Sequence, residues 1–401
     1  MSAWNRRPGF RIAAALVAGA ALLLGPMASA PAATPYNIAV ILPMTGNASF
    51  VGKGQEANLR ALEAALNKEG GIAGRPIHFS FYDDQTSPQV SVQLANQVLA
   101  DHPSFLIGSS IVAMCNAMAP LMARGPVDYC LSPGVHPAAG SYVFSAGTST
   151  ADLYAALIRY FRLKGWTKIA MMASTDASGQ DADRGIEQVL AMPENRDVKI
   201  VEHQHFNTSD LSVAAQIERV KEAQPQAFIA WTTGAAIATI LRAAYQAGLD
   251  FPIATTNGNQ TLAQMEQYAA FMPKQFLMPS ALFPPHEGVF QLDPRVEKAQ
   301  HEMYAILKDS GLTPDNMTQT SWDPALVLVA ALRKLGPDAT PDQIRDYLDG
   351  LDGFAGVNGI YDFKAYPQRG LGFGNVVIVR YEPERKNWVW LSKPGGEPLG
   401  P

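Results

Sequence analysis

Cysteine is nearly missing from this chain, with two among 401 residues, and basic residues are outnumbered, 31 against 36 acidic ones. A framework of several disulfides is therefore excluded, and so is a surface built to hold nucleic acid by its phosphates. No run of about 20 uninterrupted apolar residues occurs, the length a helix needs to span a bilayer. Neither a Gly-x-Ser-x-Gly elbow nor a His-Glu-x-x-His pair is present, so no nucleophile and base can be assembled from motifs. Gly46 to Lys53 has the outline of a phosphate loop, but five residues separate its glycines and Gly54 stands where a Ser or Thr would hold magnesium. His203 and His205 share a face of an expected strand; with no third ligand in a fixed relation they read as a solvated face. The sequence thus points to no enzyme, no cofactor and no metal.

What is there begins with a leader. Arg6, Arg7 and Arg11 are followed by an apolar run from Ile12 to Leu24 and by the small-x-small triplet Ala28-Ser29-Ala30. Positive, apolar and cleavable in that order describe a secretory signal peptide over 1–30, cut near Ala30, and a periplasmic destination. No cysteine near the cut could accept a lipid anchor. Loss of the three arginines takes the formal charge from -5 to -8. The remaining ~370 residues exceed what one core usually supports, so two lobes are expected. Cys115 and Cys130 form either a disulfide or two small buried hydrophobes, and the sequence leaves both open.

From Tyr36 the chain alternates short apolar runs with longer amphipathic ones, the rhythm of βαβ units. Strand candidates are Asn37 to Leu42, Ile77 to Tyr82, Phe105 to Gly108, Val127 to Leu131 and Tyr142 to Ser145. A second series runs through Lys168 to Met172, Val198 to Phe206, Ala227 to Trp231 and Phe251 to Thr255. Their apolar residues are successive, as in parallel strands buried on both faces. Helices are expected at Gln55 to Lys68, at Leu211 to Ala223 with Asp210 as cap, at Ala235 to Ala247, and through most of Asp293 to Leu335. The late strands Asn375 to Tyr381 and Trp388 to Leu391 must join sheets built earlier, which makes the hinge one of several crossovers.

Several motifs stand at the strand ends: Leu42-Pro-Met-Thr-Gly46, Asn67-Lys-Glu-Gly-Gly-Ile-Ala-Gly-Arg75, Asp83-Asp84, Ile107-Gly-Ser-Ser110, Ser132-Pro-Gly134, Gly165-Trp-Thr-Lys-Ile169 and Gln246-Ala-Gly-Leu249. In order and spacing they resemble the leucine/isoleucine/valine-binding family of type I periplasmic solute-binding proteins, over essentially the whole mature chain. The resemblance implies an α/β fold of two doubly wound parallel-sheet lobes joined by a three-crossover hinge. It places 31–148 and 282–370 in one lobe, 151–279 and 374–393 in the other, and leaves 394–401 as a flexible tail. The crossovers are expected near Gly147 to Ala151, Pro279 to Phe283 and Leu371 to Asn375. It implies a monomer that hands a small molecule to an inner-membrane ABC permease. A ligand-sensing domain serving a signalling partner is the alternative.

Ligands of such folds sit beyond the carboxyl ends of the strands, near helix N-termini. Carried over by position, Ser109, Ser110, Gly134 and His136 would hold a carboxylate, with Val112 or Ala113 where the family has a hydroxyl and His136 either a replacement donor or a surface loop histidine. Asn257 stands where the family presents a glutamate to the ligand's ammonium, and a neutral amide leaves a buried ammonium unbalanced. Ser178 and Gly234 stand at tyrosine positions and would widen the cleft, while Phe50, Trp231 and Trp322 would offer ring faces. The expected ligand is a small organic acid, an aromatic carboxylate or 2-oxo acid, with a branched-chain amino acid or an amide as the alternative.

Overall fold

Short aliphatic runs become strands covered on both faces, and the amphipathic stretches between them become the covering helices. The computed structural model describes residues 34–284 and 289–400; the expected leader lies outside them. Strands β1 (Tyr36–Leu42), β2 (Ile77–Asp83), β3 (Phe105–Ile107), β4 (Val127–Tyr129) and β5 (Val143–Phe144) form a parallel sheet in the order β2-β1-β3-β4-β5, with helices α1 (Ser49–Lys68), α2 (Pro88–Leu99) and α3 (Val112–Met118) between them. Ile38, Val40 and Leu42 face α1, while Ile41 turns to the other core with Ala95, Val98 and Met118. Alternation with apolar residues on both faces is what a doubly covered parallel sheet requires.

Next come α4 (Thr150–Leu163), β6 (Lys168–Ser174), α5 (Ala177–Leu190), β7 (Lys199–Phe206), α6 (Ala214–Glu222), β8 (Ala227–Trp231), α7 (Ile237–Gln246), β9 (Ile253–Thr255), α8 (Leu262–Tyr268) and β10 (Phe276–Ser280). The chain then supplies α9 (Pro294–Asp309), α10 (Asn316–Thr320), α11 (Trp322–Leu335), α12 (Pro341–Asp349) and the hairpin of β11 (Asp352–Gly356) with β12 (Gly359–Asp362). Met303, Leu307, Leu328, Ile344 and Leu348 of this stretch complete the core of the first sheet. Finally β13 (Val377–Glu382) and β14 (Asn387–Trp390) return to the second sheet, whose order is β14-β13-β10-β9-β8-β6-β7. Two doubly wound lobes result, and the chain passes between them three times, through 145–149, between β10 and α9, and through 363–376. The second sheet is not wholly parallel: β13 runs antiparallel to β10, and β14 to β13.

Several local expectations are corrected. Strand β10 is not among the expected strands, and its last two residues overlap the crossover expected at Pro279 to Phe283; proline fits there without donating to the ladder. Helix α6 starts at Ala214, and the Asp210 carboxylate accepts the Asn207 N–H at 2.8 Å instead of capping it. Residues 394–400 are no loose tail. Gly395 and Gly396, both left-handed at φ 80° and 81°, reverse the chain, so that Gly395 N–H reaches the Val376 carbonyl at 2.8 Å and Leu399 N–H the Leu391 carbonyl at 2.9 Å. Cys115 and Cys130 are joined, with Cα atoms 6.0 Å apart, tying the middle of α3 to the residue after β4.

Candidate functional site

The carboxyl ends of β1, β3 and β4 in one lobe face those of β6, β8 and β9 in the other across a cleft of about 940 Å³, its mouth included. Each loop is braced from behind. Asp83, carried by register to the end of β1, accepts from Met44 N–H at 3.0 Å, Thr45 N–H at 3.0 Å and Thr45 Oγ1 at 2.7 Å, shaping the first turn. Burial would raise its carboxyl, but these donors hold it below the ordinary value. Asp84 accepts from Ser109 Oγ at 2.6 Å; burial outweighs that bond and raises it. Helix α2 is capped by Ser87. Across the cleft, Asn259 ties the ends of β8 and β9 together, giving Nδ2–H to the Thr232 carbonyl at 2.6 Å and Thr255 Oγ1 at 2.9 Å.

The lining contains no Asp, Glu, Lys, Arg or His among the described residues. Val51 and Gln55, one turn apart on α1, point in with Ser110, Val112, Leu131 and Gly134 from the first lobe. Ser178, Trp231, Thr233 and Asn257 come from the second, and Asn316, Met317, Gln319, Asn358, Tyr361, Leu371 and Asn375 from segments beside the hinge. Trp231 is stacked on the buried Tyr154, with centroids 4.2 Å apart.

The amide orientations follow from the network. Asn316 Nδ2 donates to the Asn257 carbonyl at 2.9 Å, and Gln319 Nε2 donates to Asn316 Oδ1 at 2.6 Å, so Gln319 Oε1 is left without a partner. Asn358 Nδ2 donates to the buried Asp323 at 2.9 Å, which leaves Asn358 Oδ1 free. Gln55 Oε1 accepts from Ser110 Oγ at 2.5 Å, which leaves Gln55 Nε2 free. Asp323 also accepts from Val357 N–H at 2.8 Å, Asn358 N–H at 3.1 Å and Tyr361 Oη at 3.0 Å. Burial pushes its carboxyl up to about 6 against these bonds. Three amide atoms of cleft-lining residues, the donor Gln55 Nε2 and the acceptors Gln319 Oε1 and Asn358 Oδ1, are thus buried without a partner, and unpaired buried polar groups are strong pointers to a missing partner.

Of the residues singled out in the sequence, Ser110, Val112, Gly134, Ser178, Trp231 and Asn257 line the cleft. Five do not. Phe50 and Ala113 each precede or follow a lining residue on a helix and so turn away from it. Ser109 is buried against Asp84. His136 is exposed, and its Nε2 lies 2.6 Å from Oδ1 of Asp181 on α5, making it a bridge between lobes and no ligand donor. Burial would raise Asp181, but the His136 imidazole, the Thr150 hydroxyl and the Arg184 charge hold it below its ordinary value. Gly234 widens nothing: at φ 91° it lies against the Asn47 carbonyl of the other lobe, where a Cβ would come within 2.6 Å. Trp322 packs in the first lobe's core. Gln55, Asn316, Gln319 and Asn358 were not singled out; the only sequence signal was polar residues within otherwise apolar helix faces, as at Gln55 and Asn58 of α1.

Comparison with known proteins agrees with this architecture. Residues 35–385 match the family model described as periplasmic binding protein. A Leu/Ile/Val-binding protein homolog of Brucella melitensis is 34% identical over 71 residues, 18% of this chain and 19% of that one, so the match spans about a fifth of that relative's length. The crystal structure of an extracellular ligand-binding receptor from Rhodopseudomonas palustris HaA2 superposes with a TM-score of 0.78 at 17% identity, covering 89% of this chain and 99% of that one. The branched-chain amino acid transporter substrate-binding protein LivJ of Streptococcus pneumoniae, solved with isoleucine, gives 0.72 at 14% identity, covering 92% and 98%.

Proposed function

This chain belongs to the periplasmic binding protein family, and on that footing we propose that it is the solute-binding component of an ABC-type importer, clasping a small organic molecule that lacks a charged amine. Its family consists of solute-binding proteins, not enzymes, and periplasmic location follows from membership. The observation that carries the ligand class is the charge-free lining with Asn257 in it. A buried ammonium without a carboxylate partner would be strongly disfavoured there. A monocarboxylate is less demanding, since neutral N–H donors are sufficient to hold one. Gln55 Nε2 is such a donor, and Trp231 with Val112, Leu131 and Leu371 would take an aromatic or aliphatic remainder. An aromatic carboxylate or 2-oxo acid fits these features.

The free acceptors Gln319 Oε1 and Asn358 Oδ1 favour a second reading. A carboxylate brings them no donor, whereas a primary amide brings both a carbonyl and an NH₂ group. Calorimetric titration of protein refolded from denaturant separates these, using leucine, valine, a benzoate-type acid, a phenylpyruvate-type acid and the corresponding primary amides. The expected result is saturable one-to-one binding, without turnover, of an acid or amide more tightly than of either amino acid. Tighter binding of leucine or valine overturns the ligand class, and product formation overturns the binder.

A further inference from the structure

Away from the cleft, at the outer edge of the second sheet, two histidines of β7 meet an aspartate of α5. His203 Nε2 lies 3.1 Å from Asp183 Oδ1, and His205 Nε2 lies 2.9 Å from Asp183 Oδ2. The two rings are 4.6 Å apart between centroids. One ligand atom from each residue falls within 4.8 Å of the other two. We propose that Asp183, His203 and His205 form a binding site for a borderline divalent transition-metal ion such as Zn²⁺.

The backbone brings these groups together by a specific device. β7 pairs with β6 as Ile169 to Ile200, but the next pair is Ala170 to Glu202, so Val201 is an extra residue, a β-bulge. Beyond it His203 stands opposite Met171 and His205 opposite Ala173, both of which face the α4 and α5 side. Ile200 packs on that same side. Without the inserted residue, strand alternation would send both histidines to the opposite face. Bulges commonly re-aim side chains in this way. The third ligand, which no strand periodicity could reveal, comes from the helix 20 residues earlier in the chain.

The chemistry of the set is specific as well. Two imidazoles and one carboxylate suit zinc, copper, nickel or cobalt better than the all-oxygen shells of calcium or magnesium. Tetrahedral zinc with ligands at ~2.0–2.1 Å places them about 3.3 Å apart, close to the two histidine–aspartate separations of 3.1 and 2.9 Å. Although His203 Nε2 is near it, Asp183 Oδ1 is buried and accepts no hydrogen bond, leaving a lone pair for an ion. Side-chain exposures of 34% for His203, 44% for His205 and 27% for Asp183 leave an ion a way in and room for water as the remaining ligand.

The test is calorimetric titration of the untagged, chelator-stripped full chain with zinc chloride. One equivalent should bind, and Asp183→Asn and His205→Gln should each weaken it at least about tenfold, the scale of perturbed metal sites. The double change His203→Ala with His205→Ala should abolish it. All three positions are at the surface, and melting of each metal-free variant at the wild-type temperature verifies that it is folded. Absence of binding to the wild type at sub-millimolar zinc overturns the site, and so does equal affinity in the folded variants, which would place the zinc on other histidines.

Discussion

The cleft and the hinge beside it handle polarity in opposite ways. Around the cleft stand amides, hydroxyls and apolar groups, three of the amides with a buried atom left unpaired. At the hinge a full charge is buried and saturated. Arg369, in the third passage between lobes, donates to the Ala146 carbonyl at 3.0 Å, Thr148 carbonyl at 3.3 Å, Ser145 Oγ at 3.3 Å and Pro133 carbonyl at 3.1 Å, and also to the Val135 carbonyl. Burial lowers its guanidinium to about 10, with Asp152 and Asp181 pulling the other way, so it stays charged at any physiological pH. A rigid fork of five donors suits a joint whose carbonyls must be held in one arrangement. Neutral groups suit a surface that must exchange water for ligand, because their desolvation costs far less than that of an ion.

The largest effect should come from breaking the saturated side. Arg369→Ala strands several buried carbonyls and should lower stability by ~3–5 kcal/mol in denaturant unfolding. Asn257→Ala, on the neutral side, should change it by less than about 1 kcal/mol. Equal losses would erase the contrast between hinge and cleft.

An intermediate effect is expected where a charge is buried without partners. Asp128 on β4 has both carboxylate oxygens unpaired, and burial pushes its carboxyl up to about 7 from 3.8. A carboxyl raised in the folded state makes the protein lose stability as pH climbs from about 4 to about 7, since the unfolded chain releases that proton first. Asp128→Asn should therefore stabilise by ~1–3 kcal/mol at pH 8, with the gain shrinking toward pH 4. Thermal midpoints across that range test it, and a pH-independent difference would refute the burial argument.

The smallest effect belongs to the bridge between lobes. His136→Ala should weaken ligand binding by only ~0.5–1 kcal/mol, because solvent screens an imidazole that is 52% exposed and Asp181 keeps Arg184. Asp181 is held below its ordinary 3.8, so its stabilising share is present above that value and lost as pH falls through the lower folded one. A loss beyond tenfold in affinity would return His136 to direct ligand contact.

The fold was readable where one residue pattern had one structural solution. Ala227–Trp231 is apolar throughout and became a strand over those same residues. Strand β10 and the β11–β12 hairpin escaped because Pro279, Gly353, Gly356 and Gly359 carry the marks of loops. The cleft's loops could be placed from strand ends, but the direction of a side chain on a loop depends on the opposite lobe. His136 and Gly234 were misjudged for that reason: Asp181 and Asn47, their partners, are 45 and 187 positions away in the sequence. Buried amides such as Gln319 look like ordinary surface residues until the helix that carries them is seen to be covered.

A lining without charge also exerts no pull beyond contact distance. Counter-ions in the medium have nothing there to screen, so a hundredfold swing in external salt should leave the grip on an uncharged solute unaltered. Capture then depends on random encounter, and residence time on how long the hydrogen bonds last. An exported carrier faces an ionic environment that its cell does not regulate, and for an uncharged solute such as an amide a neutral cleft would load equally well in dilute and in briny surroundings.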